Sequence, residues 1–193
     1  MSGQLQGSEP AAPLRLFYAL WPEPNTRSQI AASAQAIAWP DSVRLVPAEN
    51  YHLTIAFVGE IRSEQLPILR QIGARLRAAS CPIEFDRYEY WPKPAVVVAA
   101  AREIPPALEQ CWHALHEDLT KHDFRLDPKR LRPHVTLARK VTQAPVSTPM
   151  SRFAWCARDF CLMRSSGGAT QPVYTVVDTW PLLDEASKSS KTL

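Results

Sequence analysis

An α+β chain folded as two pseudo-symmetric lobes around a shared cleft is what this sequence predicts, on three observations. β-prone runs alternate with amphipathic helical stretches along the whole middle of the chain. The pattern His-x-Thr occurs twice, at His52/Thr54 and at His134/Thr136. The two copies also keep the same distance from the helix before them: His52 lies 15 residues beyond Ile37, and His134 lies 15 beyond Leu119. Each half therefore reads as helix, short strand, Pro-containing loop and a strand that bears the motif. Two such units would each deliver one motif to the cleft.

The elements follow in order. Leu14 to Leu20 reads as a strand, and Trp21-Pro22-Glu23-Pro24 ends it, because each proline fixes φ and restrains the residue before it. Thr26 to Ala38 reads as a helix with Ile30, Ala34 and Ile37 on one side, stopped by Trp39-Pro40-Asp41. A short strand at Val43–Val46 leads through Pro47 to a β-prone run from Tyr51 to Val58, closed by Gly59. Ser63 is the expected N-cap of a second helix that buries Leu66, Leu69, Ile72 and Leu76. Ile83-Glu84-Phe85 starts an extended stretch, and the apolar run Ala95 to Ala101 predicts a central strand covered on both faces. A third helix, Pro105 to Lys121, turns Leu108, Trp112, Leu115 and Leu119 inward. The basic loop Asp127 to Pro133 leads into the second motif strand, His134 to Arg139, and Val141 to Met150 is a loop. Arg152–Arg164 and Val173–Trp180 read as two final strands around Gly167-Gly168. A single bilobal domain over residues 14–183 is expected, with disordered tails at 1–13 and 184–193.

Composition narrows the function classes. With 46% hydrophobic residues among 193, the chain can bury a sizeable core. Its 22 basic and 19 acidic residues give a net charge of +3, compatible with a phosphate-bearing ligand but far from the basicity of a protein that grips long nucleic acid by charge alone. No apolar window is long enough to span a bilayer and no targeting segment is evident, so a cytoplasmic protein with no membrane partner is expected. Cys81, Cys111, Cys156 and Cys161 form no CxxC pair and read as reduced structural thiols.

The chemistry rests on the paired motifs. Side chains alternate along a strand, so His52 and Thr54 share one face while Leu53 and Ile55 take the other. His134 and Thr136 repeat this against Val135 and Leu137. Imidazole titrates near neutrality, so one histidine can take a proton from attacking water while the other supplies a leaving oxygen. Threonine hydroxyls can donate to the non-bridging oxygens of a phosphate, and a guanidinium does so better, with Arg139 the nearest candidate. A single His-x-Thr is far more often structural than functional, and it is the matched pair that carries weight. His113 and His116 stand at a helical spacing that could hold a metal, but no third ligand accompanies them, and a half-exposed helix face explains them better. Lys129, Arg130 and Arg132 read as a solvated loop whose position before His134 also suits contact with an RNA backbone.

At these residues the chain resembles the 2H phosphoesterase superfamily, and within it the bacterial RNA 2′,3′-cyclic phosphodiesterases (LigT-like, once called 2′-5′ RNA ligases). The likeness runs through the segments RLFYALWP from Arg15 and VPAENYHLTIAFVG from Val46, then RPHVTLAR from Arg132 and YTVVDTWPL from Tyr174. It implies antiparallel sheets around the cleft, with helices outside. It also implies hydrolysis of an RNA terminal 2′,3′-cyclic phosphate to a 2′-phosphate, with no metal and no cofactor. By that resemblance His52 is the proton donor and His134 the proton acceptor, with Thr54, Thr136 and Arg139 on the phosphate. The implied partner is an RNA 3′ end, or a nucleotide with a cyclic phosphate, bound by a monomer. Alternatives on the same site are 2′-5′ RNA ligation, a cyclic-nucleotide phosphodiesterase, or an RNA-end binding module with little turnover. Arg139 has the wrong strand parity to share a face with His134, and reaches the phosphate only if the strand bulges or ends near Ala138, or if its side chain wraps around.

Overall fold

The computed structural model describes residues 13–145, 149–167 and 172–184. Ten strands and three helices succeed one another: β1 (Leu14–Leu20), α1 (Pro24–Gln35), β2 (Arg44–Leu45), β3 (Leu53–Ile61), α2 (Leu66–Arg75), β4 (Pro82–Phe85), β5 (Arg87–Trp91), β6 (Val96–Ala100), α3 (Pro106–Lys121), β7 (His134–Arg139), β8 (Phe153–Cys156), β9 (Asp159–Ser166) and β10 (Val173–Pro181). They build two four-stranded sheets, ordered β10-β9-β1-β3 and β2-β7-β6-β5, and a two-stranded ribbon, β4-β8. Every strand pair within them is antiparallel. The expected α+β architecture of two lobes is what forms.

Each sheet has one face on the core and one on the cleft. In the first sheet Leu16, Tyr18 and Leu20 point to the core, while Phe17 and Ala19 join Cys161 and Met163 on the opposite face. In the second sheet Val97 and Ala99 face the core, and Val96, Val98 and Ala100 face the cleft beside Trp91. The core is one continuous body spanning both lobes. The helices cross over between them. α1 runs from β1 of the first sheet to β2 of the second and packs on β7 of the second, and Tyr88 of β5 donates to the Ser33 carbonyl at 2.7 Å. α3 connects two strands of the second sheet yet packs on β3 of the first. β2, from the first half of the chain, pairs with β7.

Several elements differ from the sequence expectation. His52 sits just before β3, not inside it, and the strand runs on through Gly59 to Ile61 because Gly59 adopts φ +87°, which accommodates an irregular register there. α1 starts at Pro24 and ends at Gln35, so Ile37 is buried from beyond the helix. Ser63 opens a 3-10 turn, not a cap, and it is the Gln65 side chain that accepts the Arg62 N–H. Cys111 takes the inward position on α3, leaving Trp112 half-buried. No short strand follows α3, so the repeat of the two halves is looser than the spacing suggested. Arg152–Arg164 is two strands: the chain leaves β8 in the ribbon at Ala157-Arg158 and enters β9 in the first sheet. None of the four cysteines forms a disulfide among the described residues, and Cys156 is exposed, not structural. The expected tails and Gly168 lie outside the described residues, save for Pro13 and Asp184.

α2 covers the core face of the first sheet through one close approach. The buried Tyr18 hydroxyl donates to the Leu69 carbonyl at 2.6 Å, and Gly73 lies directly against the Trp180 indole. A Cβ at position 73 would overlap that ring, which is itself held against Phe160 and Tyr18. Gly73→Ala is therefore expected to destabilise the fold, by about 1–3 kcal/mol for an overpacked site. At this chain length each kcal/mol lowers Tm by about 2–4 °C. An unchanged Tm would show that the helix can slide off the indole at no cost.

Candidate active site

The cleft between the two sheets is a cavity of about 370 Å³ that collects His52, Thr54, His134, Thr136 and Arg139. Both motifs, predicted from strand parity alone, thus open onto one space. All five side chains are half-buried.

The two histidines are mounted alike. His52 Nδ1 lies 2.7 Å from the Asn50 carbonyl and His134 Nδ1 lies 2.7 Å from the Arg132 carbonyl, two residues upstream in each case. A carbonyl oxygen only accepts, so each Nδ1 carries the proton and donates it. Each Nε2 is left with its lone pair free for proton transfer.

Both motif strands then break register at the same point. On β3, Ala19 pairs with Thr54 but Tyr18 pairs with Ala56, leaving Ile55 as the extra residue. On β7, Val98 pairs with Thr136 but Val97 pairs with Ala138, leaving Leu137 extra. A bulge frees the carbonyl of the extra residue from the ladder, and here both carbonyls find donors from elsewhere. Val46 N–H donates to Leu137 O at 2.8 Å, and His116 Nε2 lies 3.4 Å from Ile55 O. His116 thus serves the scaffold of the first motif, packed on Trp112 with the two rings tilted. Among the described residues no three His, Cys, Asp or Glu side chains gather as a metal-binding group.

The bulge at Leu137 reverses the alternation beyond it. Ala138 turns into the core, and Arg139, opposite Val96, comes onto the cleft face with Thr136 and His134. This resolves the parity conflict of Arg139 by the first of the three routes open to it. The same reversal on β3 brings Phe57, five residues after His52 as Arg139 is after His134, onto the cleft face at 46% exposure. The Arg15 guanidinium lies 5.0 Å over the Phe57 ring. One lobe thus offers an arginine where the other offers an arginine-capped phenylalanine.

The surroundings of the two imidazoles differ. His52 is enclosed by Phe17, Trp21 and Tyr174, with ring centroids 5.1, 5.9 and 4.9 Å away. Burial lowers its pKa to about 4, and the nearby positive charge of Arg139 works in the same direction. His134 packs on Trp91 at 4.5 Å, and Arg132 covers the same indole at 4.6 Å. Glu89 ties that group together: its carboxylate accepts from Trp91 Nε1, Arg132 and Arg87. Burial lowers the His134 pKa too, while Glu89 pulls it upward. Sequence reading missed Phe17, Trp21, Glu89, Trp91 and Tyr174. For Phe17 a signal existed, since it alternates with Leu16 and Tyr18 on a correctly placed strand. The other four reach the motifs across strand pairings or from beyond the strand ends.

Comparison with known proteins places the fold among phosphoesterases. The family model described as LigT like Phosphoesterase matches residues 20–98. The RNA 2′,3′-cyclic phosphodiesterase of Escherichia coli is 30% identical over 172 residues, covering 88% of this chain and 97% of that protein. The protein of the same name from Thermus thermophilus is 28% identical over 182 residues, covering 89% and 92%. The crystal structure of E. coli LigT complexed with 3′-AMP overlays with a TM-score of 0.81 at 28% identity, over 89% of this chain and 99% of that one.

Proposed function

Because this chain belongs to the LigT-like phosphoesterase family, we propose that it hydrolyses the terminal 2′,3′-cyclic phosphate of RNA to a 2′-phosphate by two-histidine acid/base catalysis without a metal. The observation that carries this reading is the mirrored mounting of His52 and His134: two Nε2 atoms, one from each lobe, open onto one cavity that also holds Arg139. The names of the E. coli and T. thermophilus relatives and the 3′-AMP complex of LigT support the substrate class.

In this mechanism His134 Nε2 takes a proton from water as its oxygen attacks phosphorus. The P–O3′ bond breaks, His52 Nε2 delivers a proton to the departing O3′, and the phosphate stays on O2′. Proton exchange with solvent then restores both imidazoles. Arg139 and the hydroxyls of Thr54 and Thr136 hold the non-bridging oxygens, where the negative charge resides throughout.

His52 must be charged to act as acid, yet burial has lowered its pKa in the free protein to about 4. Above that value the protonated fraction of free protein falls tenfold per pH unit, and His134 is already neutral on the alkaline side of 6.5 because its own pKa is also lowered. The expected result is a kcat/KM that declines about tenfold per pH unit between roughly pH 7 and 9. A bound phosphodiester anion stabilises the imidazolium, so kcat should hold its plateau to higher pH than kcat/KM. Coincident profiles for the two parameters would contradict this account.

The deciding experiment supplies an oligoribonucleotide ending in a 2′,3′-cyclic phosphate to the purified protein, with and without EDTA. Turnover unaffected by the chelator and a 2′-phosphate product support the reading. Loss of activity in EDTA removes the metal-free mechanism, and a 3′-phosphate product removes the assigned leaving oxygen.

A further inference from the structure

A second cavity, of about 530 Å³, opens off the catalytic one beneath the basic loop 127–132. The two share Thr54, Phe57, Trp91, Pro94 and His134 as a common wall, so a chain seated in one continues into the other. Resting on the functional reading above, we propose that this groove holds the nucleotides on the 5′ side of the cyclic phosphate, so that the substrate is a single-stranded RNA end several residues long and not a free cyclic nucleotide.

Two features of the groove fit single-stranded RNA. The first is aromatic surface: Phe57 is 46% exposed at the junction with the catalytic cavity, and Trp112 of α3, half-buried with His113 and His116 against its ring, lines the groove farther in. Bases without partners stack on such rings regardless of sequence. The second is charge. Lys93, Lys129, Arg130 and Arg132 line the groove against one acidic residue, Asp127. Asp127 is engaged by Lys129 and Arg132 by Glu89, whereas Lys93 and Arg130 form no ion pair among the described residues. Those two cations are available to phosphates.

A cavity of similar size, about 540 Å³, lies on the other side of Arg139. It too is basic, through Arg44 and Lys140, but its apolar walls are the exposed aliphatic side chains Leu45 and Val173. Its one aromatic ring, Tyr174, already encloses His52. The exposed ring of Phe57, which the other cavity lacks, favours the groove beneath the basic loop.

The test compares kcat/KM at low salt on a 2′,3′-cyclic mononucleotide and on tri- and hexaribonucleotides ending in the same cyclic residue. Wild type is expected to prefer the trinucleotide over the mononucleotide by about tenfold or more, the scale of one stacked base. The double variant Lys93→Glu/Arg130→Glu should keep wild-type turnover of the mononucleotide and lose most of that preference. Both side chains are exposed, so the variant guards against a folding defect. Equal kcat/KM on all lengths, or a preference that survives the double variant, overturns the proposal. Turnover on none of the substrates sinks the functional reading instead. The groove is then judged by anisotropy of a labelled 3′-phosphorylated hexaribonucleotide: about tenfold weaker binding by the double variant supports it, and equal binding overturns it.

Discussion

A protein carrying His134→Ala is expected to hydrolyse an RNA 2′,3′-cyclic phosphate about 10²–10⁴-fold more slowly than wild type, the usual worth of a positioned proton-transfer group. His52→Ala should fall in the same range. The two losses should not multiply, because acid and base act on one transition state and removing either leaves the other without a complementary partner. The roles separate on a substrate whose leaving group departs as a stable anion, such as an activated phenyl phosphodiester. An acid is then superfluous, so His52→Ala should recover much of its activity while His134→Ala stays slow. The opposite pattern would exchange the roles of the two residues. Neither side chain is part of the core, so Tm should change little, and a variant that loses its fold would not count as a test.

The second large effect is expected at Arg139. Arg139→Ala should lower kcat/KM by about 10²–10³, the scale seen when one preorganised donor to a developing charge is removed. Arg139→Lys should restore only part of this, since a point charge keeps the attraction but loses the two-pronged geometry. Arg139 also adds positive charge beside both imidazoles. Its removal should therefore move the decline of kcat/KM to higher pH as well as lowering its height. A variant with wild-type kcat/KM and an unmoved profile would exclude Arg139 from the phosphate site.

Much of this was legible in the sequence, and the reasons differ by element. β1 and β7 have the boundaries read from their β-prone runs, because proline or a basic loop brackets them closely. His52, Thr54, His134 and Thr136 follow from alternation and reach one cavity. Alternation fails where a strand inserts an extra residue. Ile55 and Leu137 look like ordinary strand residues, and what fixes them as bulges is hydrogen bonding to Val46 and His116 from other elements. For that reason Phe57 was missed and Arg139 was left in conflict. Tyr174 comes to His52 from β10 and Glu89 to Arg132 across β5 and the basic loop, contacts that no local pattern encodes. The single strand expected over Arg152–Arg164 divides because its residues serve two different sheets.

The crossing of α1 and α3 between the lobes bears on how the site can move. In many two-lobed enzymes a hinge opens and closes the cleft, and the reacting groups meet only in the closed state. Here the helix that precedes each motif is packed against the opposite sheet, and one core runs beneath both. Opening the cleft would strip α1 from the second sheet and α3 from the first. The separation of the two imidazoles is accordingly set by the folded body itself, and under the proposed mechanism no closing motion is needed to bring them to one phosphate. Such a site spends little binding energy on closure, and its turnover is free to follow the chemistry and product departure in place of a gate.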